Sequence, residues 1–382
     1  MKGRFSQTAL KGTALTLVFV AVLLTSVRPA SAASDEELAK ERLRAVFVAR
    51  QDLQQAFRAD WTAVPSKRTV GLDTLEDWAR AYGYREYPAE LAWFAAIVPA
   101  KVTSSAPPRA LALRAAAFTP VMRPGTSFNF GSVTATSVLV IDDATRDVLL
   151  SRNARVPHPL ASITKLMTAL VTLDHKVPMS RQASILEKDE VGGARLRVET
   201  GSTLTIREIV DAMLIGSANN AANALARSTR IAREEFIEEM NARAKELGLA
   251  ATTFVDPSGI EVGNMSTAED IAALGFEAFA AYDIRRATTT STVTVVASNK
   301  AHKLTNTNEL LNDVGNGLYV LGGKTGYLDE SKWNFVVKVR DSRNKPVLVV
   351  ILGADTKARS FRDAEVAAKW VWDNYRWVAA PR

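Results

Sequence analysis

Residues 136–173, TSVLVIDDATRDVLLSRNARVPHPLASITKLMTALVTL, carry the reading of the fold. Thr136-Ser137-Val138-Leu139-Val140-Ile141 is apolar and rich in β-branched residues, which predicts a strand. Asp142 to Arg146 has turn composition, and 147–150 predicts the returning strand. After Pro159-Leu160-Ala161 the period changes. Leu166, Met167, Ala169, Leu170, Val171 and Leu173 predict a buried helix with Ser162 at its N-terminus. Working outward, helical patterns extend from 162 to about 249. Strands return at 333–340 and 346–352 around a turn at 341–345, and a last helix is predicted over 361–377. Strands, then helices, then strands and a closing helix imply an α+β domain, an antiparallel sheet packed by helices.

Upstream the texture differs. Lys2, Arg4 and Lys11 precede an apolar run over 14–24, followed by Ala30-Ser31-Ala32. A basic segment, a short apolar segment and an A-x-A site predict a signal peptide over 1–32 and an exported protein, in the periplasm or extracytoplasmic envelope. A membrane anchor is the alternative, but the run is short of the roughly 18–20 residues needed to span. Residues 33–100 read as a small helical region. Leu43, Val46, Phe47, Leu53 and Phe57 recur near helical spacing, and Thr74 with Asp77 resembles a cap pair. Its aromatics, Trp61, Trp78, Tyr82, Tyr84, Tyr87, Trp93 and Phe94, fit either a hairpin packed on the next domain or a docking surface for another envelope protein. Ala, Pro and Ser dominate 101–127, which predicts a linker, leaving 128–382 as the main domain.

Composition narrows the chemistry. The 382 residues include no Cys, so thiolate nucleophiles and disulfides are excluded. The three His, His158, His175 and His302, are far apart, and neither a metal nor a cofactor is expected. Formal charge is +7, but removal of Lys2, Arg4, Lys11 and Arg28 leaves 44 basic against 41 acidic residues. That balance implies no nucleic-acid partner.

No G-x-S-x-G is present, so the usual Ser-His-Asp elbow is missing. Ser162-Ile163-Thr164-Lys165 stands in its place. A Ser hydroxyl needs an adjacent base, and a Lys kept neutral by burial or by a second cation can serve. Lys165, three residues on, shares a helix face with Ser162. Such a motif is cheap: Ser342-Arg343-Asn344-Lys345 also fits, but in a predicted hairpin turn. Ser217-Ala218-Asn219 lies between two helical patterns, where a hydroxyl can relay a proton and an amide can hold a substrate amide. Ser127-Phe128-Asn129 and Ser151-Arg152-Asn153 match it by spacing alone. Lys324-Thr325-Gly326 is the only K-[ST]-G in the chain. Its Lys and Thr suit a carboxylate, and Gly326 would let a substrate backbone lie along a strand edge.

In this order, S-x-x-K, S-x-N and K-T-G resemble the signature of penicillin-binding proteins and class A β-lactamases. More of the chain is similar to the low-molecular-mass D-alanyl-D-alanine carboxypeptidase and endopeptidase family: SANNAANALA at 217–226, LGLAATTFVDPSGI at 247–260, STAEDIAA at 266–273 and NTNELL at 306–311. The resemblance implies a five-stranded antiparallel sheet flanked by helices, with a helical subdomain and the active site between them. It implies a serine D,D-peptidase acting on peptidoglycan peptides through an acyl-enzyme, with β-lactam antibiotics as covalent inhibitors. It makes Ser162 the nucleophile, Lys165 its base and Ser217 a proton carrier. Asn219, Lys324, Thr325, Gly326 and Tyr327 become substrate-binding residues, with the N–H groups of Ser162 and Tyr327 as the oxyanion hole. Asn220 departs from the Asp many relatives carry, and 328–332 lacks their Ala-Gly step. Both bear on substrate preference.

Two other functions share parts of this signature. A β-lactamase needs a base such as Glu to hydrolyse its acyl-enzyme quickly, and FVDPSG at 254–259 stands where E-x-x-L-N would be expected. A non-catalytic cell-wall binding protein has no need of Lys165. The 58 residues after Lys324 are filled by two strands and a helix, which resembles the family's soluble endopeptidases more than its anchored carboxypeptidases. Trp370, Trp372 and Trp377 in that helix are expected to pack on the sheet rather than lie on a membrane.

Overall fold

The computed structural model describes residues 118–313 and 315–379. The expected signal peptide, the helical region 33–100 and most of the linker lie outside them. Five antiparallel strands form the central sheet: β1 (Ser137–Asp142), β2 (Val148–Arg152), β3 (Tyr319–Leu328), β4 (Lys332–Arg340) and β5 (Pro346–Ala354). Their spatial order is β3-β4-β5-β1-β2. The opening strand of the domain is therefore hydrogen-bonded to the last strand of the sheet, with Val140 opposite Val349.

Alternation along the strands divides the sheet into two packed faces. Leu139, Ile141, Val336, Leu348, Val350 and Leu352 join the core shared with most of the helices. Val138, Val140, Phe335, Val337, Val339, Val347, Val349 and Ile351 face the other way. Both faces are covered, so these strands read as unbroken apolar runs. The first face carries α1 (Lys165–Asp174), α2 (Ile206–Leu214), α3 (Asn219–Arg227), α4 (Arg233–Glu246), α5 (Ala268–Ala280) and α6 (Tyr282–Thr289). α7 (Lys357–Asn374) covers the second face with Phe361, Ala364, Ala367, Ala368, Val371 and Trp372. Caps fix where helices begin. Thr205 and Glu208 form a capping box on α2, and Thr267 and Thr356 accept from backbone N–H groups of α5 and α7.

The chain end differs from expectation. The helix expected over 361–377 stops at Asn374, and Tyr375–Ala379 is a strand paired antiparallel with Phe118–Met122. Tyr375 and Trp377 alternate inward in period two, which the helical reading of the aromatics overlooked. Phe118–Met122 falls within the segment expected as a linker. Pro120 is tolerated there because the ribbon has only two strands. Trp370 and Trp372 do pack on the sheet. The helical block is also interrupted by the ribbon Gln182–Ser184 with Thr203–Thr205, and the hairpin Thr292–Ala297 with Lys300–Thr305 follows α6. Among the described residues no helix is long and apolar enough to cross a membrane.

Candidate active site

β3 is an edge strand, so one side of it is left free of the sheet's hydrogen bonds. Against it lies the 3-10 turn Ala161–Thr164, which feeds directly into α1. A β-carbon on Gly326 would stand 2.8 Å from the Leu160 carbonyl oxygen and 3.3 Å from the Ser162 nitrogen. Close approach of strand and turn is thus the reason for glycine at 326, a tighter demand than room for a substrate. Asn334, opposite Gly326 on β4, is fully buried. Its Nδ2 donates to the carbonyl of Pro159 at 2.8 Å, and its Oδ1 accepts from the Gly353 N–H at 3.0 Å. On the far side, Leu160 N–H donates to the Asn264 carbonyl at 2.8 Å. Gly259, at φ +80°, lies so close to the Ala161 carbonyl that any side chain would collide with it. The turn is held from three directions. That explains how Ala161 keeps φ at +51°, a conformation that costs a non-glycine residue about 1–3 kcal/mol. Ser217, between α2 and α3, is held at φ +58°.

The turn aims Ser162 at Lys165. Lys165 Nζ donates to Ser162 Oγ at 2.8 Å, to Asn219 Oδ1 at 2.8 Å and to the Ser258 carbonyl at 2.5 Å. Lys165 is 0% exposed. Burial first, and then the charge of Lys324, hold its pKa well below the ordinary lysine value, against an opposing pull from Asp256. Lys324 on β3 is equally buried, and burial lowers its pKa to about 7. Its Nζ donates to Ser217 Oγ at 2.9 Å and to the Thr325 carbonyl at 2.9 Å.

Asp256 organises the loop beneath Lys165. Its Oδ1 accepts from the N–H and hydroxyl of Ser258, both at 2.6 Å, and from Gly259 N–H at 2.8 Å. Its Oδ2 accepts from Glu261 N–H and from Asn264 Nδ2. Burial alone would raise its pKa, but these hydrogen bonds outweigh burial and hold the carboxyl below its usual range. The loop's carbonyls then point at α1, Ser258 to Lys165 and Pro257 to Thr168 Oγ1.

A cleft of about 460 Å³ opens over these groups, lined by Ser162, Gly193, Ser217, Asn219, Thr325, Gly326 and Tyr327 among others. Tyr327 rests on Trp333 at 4.4 Å between ring centroids and donates its hydroxyl to Asp329 Oδ1 at 2.5 Å. Asp329 is the only carboxylate among the lining residues, and it sits at the exposed rim. Among the described residues, no cluster of His, Asp or Glu is suited to a metal.

All eight residues singled out in the sequence meet here. The look-alikes do not. Ser342 lies exposed in the β4–β5 turn, where Lys345 stacks near Phe118 and Trp377, and Asn129 and Asn153 bond to nearby backbone. Asn219 has both ends of its amide engaged, Oδ1 by Lys165 and Nδ2 by the Gly192 carbonyl at 2.9 Å. It steadies the base and the loop carrying Gly193. Asn220 pins the same loop through both Leu196 backbone groups and through Glu190. Asp256, Ser258, Gly259 and Asn334 were not read as site residues. The D-P-S-G turn signature at 256–259 was the available sign for three of them; Asn334 had none.

A serine bonded to a buried lysine, with a second buried lysine nearby and no carboxylate inside the cleft, is machinery for acyl transfer to a hydroxyl. The comparisons agree. A family model described as D-alanyl-D-alanine carboxypeptidase, peptidase S11, matches residues 123–356, and the chain belongs to this family. It is 35% identical over 239 residues to the D-alanyl-D-alanine endopeptidase of Pseudomonas aeruginosa, covering 62% of this chain and 76% of that one. It is 32% identical over 239 residues to the D-alanyl-D-alanine endopeptidase of Escherichia coli K12, with the same shares. Among solved structures, the D-alanyl-D-alanine carboxypeptidase of Mycobacterium tuberculosis H37Rv superposes with a TM-score of 0.60 at 25% identity, over 66% of this chain and 96% of that one. Penicillin-binding protein D2 of Listeria monocytogenes, in its cefotaxime-bound form, gives 0.57 at 29% identity, over 65% and 100%.

Proposed function

We propose that this serine D,D-peptidase acts on peptidoglycan stem peptides through an acyl-enzyme on Ser162, within a catalytic domain that takes in the strand Phe118–Met122 as well as the expected 128–382. The observation that carries this reading is the 2.8 Å bond between Ser162 Oγ and Lys165 Nζ, whose pKa burial holds well below the ordinary lysine value. Lys165 takes the Ser162 proton as Oγ attacks the carbonyl carbon of the penultimate D-Ala. The N–H groups of Ser162 and Tyr327 receive the developing oxyanion, since the turn and β3 meet at Gly326. Ser217, oriented by the hydrogen bond it accepts from Lys324, gives its proton to the leaving amine and takes back the one Lys165 removed from Ser162, which leaves Lys165 neutral and Lys324 charged. Water then attacks the ester, with Lys165 again as the base, and frees Ser162. The Lys324 charge and the Thr325 hydroxyl hold the carboxylate beside the leaving amine. β-Lactams acylate the same serine, as the cefotaxime-bound relative suggests. Residues 1–32 direct export, so the enzyme works outside the cytoplasm.

A β-lactamase is disfavoured by the cleft itself. Asp256 is spent on its loop, and Asp329, the only carboxylate among the described residues lining the cleft, sits at its exposed rim and bonds to Tyr327. Cleavage of D,D-crosslinks is preferred over trimming of terminal D-Ala, on the strength of the endopeptidase relatives at 35% and 32% identity. The purified enzyme is to be incubated with crosslinked dimeric muropeptide and with monomeric pentapeptide. Conversion of dimer to monomer is expected. Free D-Ala from the monomer with dimers intact would overturn the crosslink preference, and no hydrolysis of either would overturn the function.

A further inference from the structure

The segment Asn306-Thr307-Asn308, within the NTNELL stretch, takes no part in the mechanism above. Its two asparagines are buried and its threonine lines the cleft. Asn306 Nδ2 donates to the Thr290 carbonyl at 2.9 Å, and its Oδ1 accepts from Asn308 N–H at 2.9 Å. Asn308 Oδ1 accepts from Leu310 N–H at 3.1 Å, and its Nδ2 lies against β3, 2.9 Å from where a β-carbon on Gly323 would be. Thr307 N–H donates to the Ile215 carbonyl at 3.1 Å, two residues before Ser217. The backbone is thus immobilised on both sides of Thr307, and its hydroxyl is carried to Thr325, whose Oγ1 donates to Thr307 Oγ1 at 2.7 Å.

Two hydroxyls own two protons. Within the pair one is spent on the other hydroxyl, and an anion in the cleft can draw both, one to each of its oxygens. The geometry points to Thr307 as a second substrate-binding hydroxyl, donating to the carboxylate on the carbon that bears the leaving amine. A carboxylate has two oxygens to satisfy, and Thr325 alone offers one proton. This assignment rests on the proposed function. It predicts that substrates bearing a free carboxylate at that position are selected over their amides partly through Thr307.

The test uses Thr307→Val and Thr307→Ser on the D,D-peptide cleaved in the muropeptide assay, and on the same peptide with that carboxylate converted to carboxamide. Loss of a hydrogen bond to a charged group lowers kcat/KM on the acid by about tenfold or more. The loss falls mainly on KM, because the carboxylate is held before and during reaction. On the amide, Thr307→Val costs less than about threefold, and Thr307→Ser recovers most of the loss on the acid. Equal losses on acid and amide, or no recovery by Ser, would make Thr307 a structural staple and overturn the assignment. Wild-type enzyme that cleaves neither peptide would instead strike the function, and this assignment with it.

Discussion

Gly326→Ala is the smallest change that tests how the strand and the nucleophile turn are joined. The added carbon meets the Leu160 carbonyl oxygen at 2.8 Å and the Ala161 β-carbon at 3.2 Å. Relaxed carbon–oxygen contacts lie near ~3.3–3.6 Å, so β3 and the turn must part by about 0.5 Å. Neither can yield locally. The turn is held by Asn334 and Asn264, and β3 is paired with β4 along its length. The separation opens the gap between the Ser162 and Tyr327 N–H groups. A bond of about 2.9 Å stretched by about 0.5 Å is largely lost. Loss of one oxyanion donor costs roughly 10²–10³ in rate. Acylation by a fluorescent penicillin, followed by stopped flow, is therefore expected to slow about 10²-fold, with thermal unfolding checked alongside. Gly326 does not occupy the left-handed region, so Ala brings no backbone strain of its own. A rate within about threefold of wild type would refute this oxyanion-hole geometry.

Activity should depend on pH through both lysines. Acylation kcat/KM rises as Lys165 loses its proton, at a pH well below the ordinary lysine value, and falls as Lys324 loses its charge near pH 7. Lys324→Arg, permanently charged, is expected to remove the alkaline fall; a wild-type profile flat through neutrality would contradict the role given to Lys324. Asn334→Ala leaves the Pro159 carbonyl and Gly353 N–H buried without partners, at about 1–3 kcal/mol each. Denaturant unfolding should show a loss of several kcal/mol together with slowed acylation, and a change below about 0.5 kcal/mol would remove Asn334 as a support of the turn.

Local signals were legible in the sequence, and signals that depend on distant neighbours were not. The β1–β2 hairpin, β4, β5 and α1 follow from period and turn chemistry within a few residues, and Ser162, Lys165, Ser217 and Lys324 follow from spacing. The positive φ at Ala161 and Ser217 did not, because the contacts that sustain it come from Gly259, Asn264, Asn334 and other elements remote in sequence. Asn334 reads as an ordinary strand residue until its partners at Pro159 and Gly353 are seen. The hairpin between 292 and 305 alternates in period two around Ser298 and Asn299, both at positive φ, a turn that asparagine favours but that contains no glycine to announce it.

The central claim is that Ser162, and no other serine, is acylated. Peptide mapping by mass spectrometry after incubation with a β-lactam measures this directly. One covalent adduct is expected, on the peptide containing Ser162, absent from Ser162→Ala and retained in Ser342→Ala. An adduct on Ser342, on Ser217 or on any serine of the Ser162→Ala protein would contradict the account.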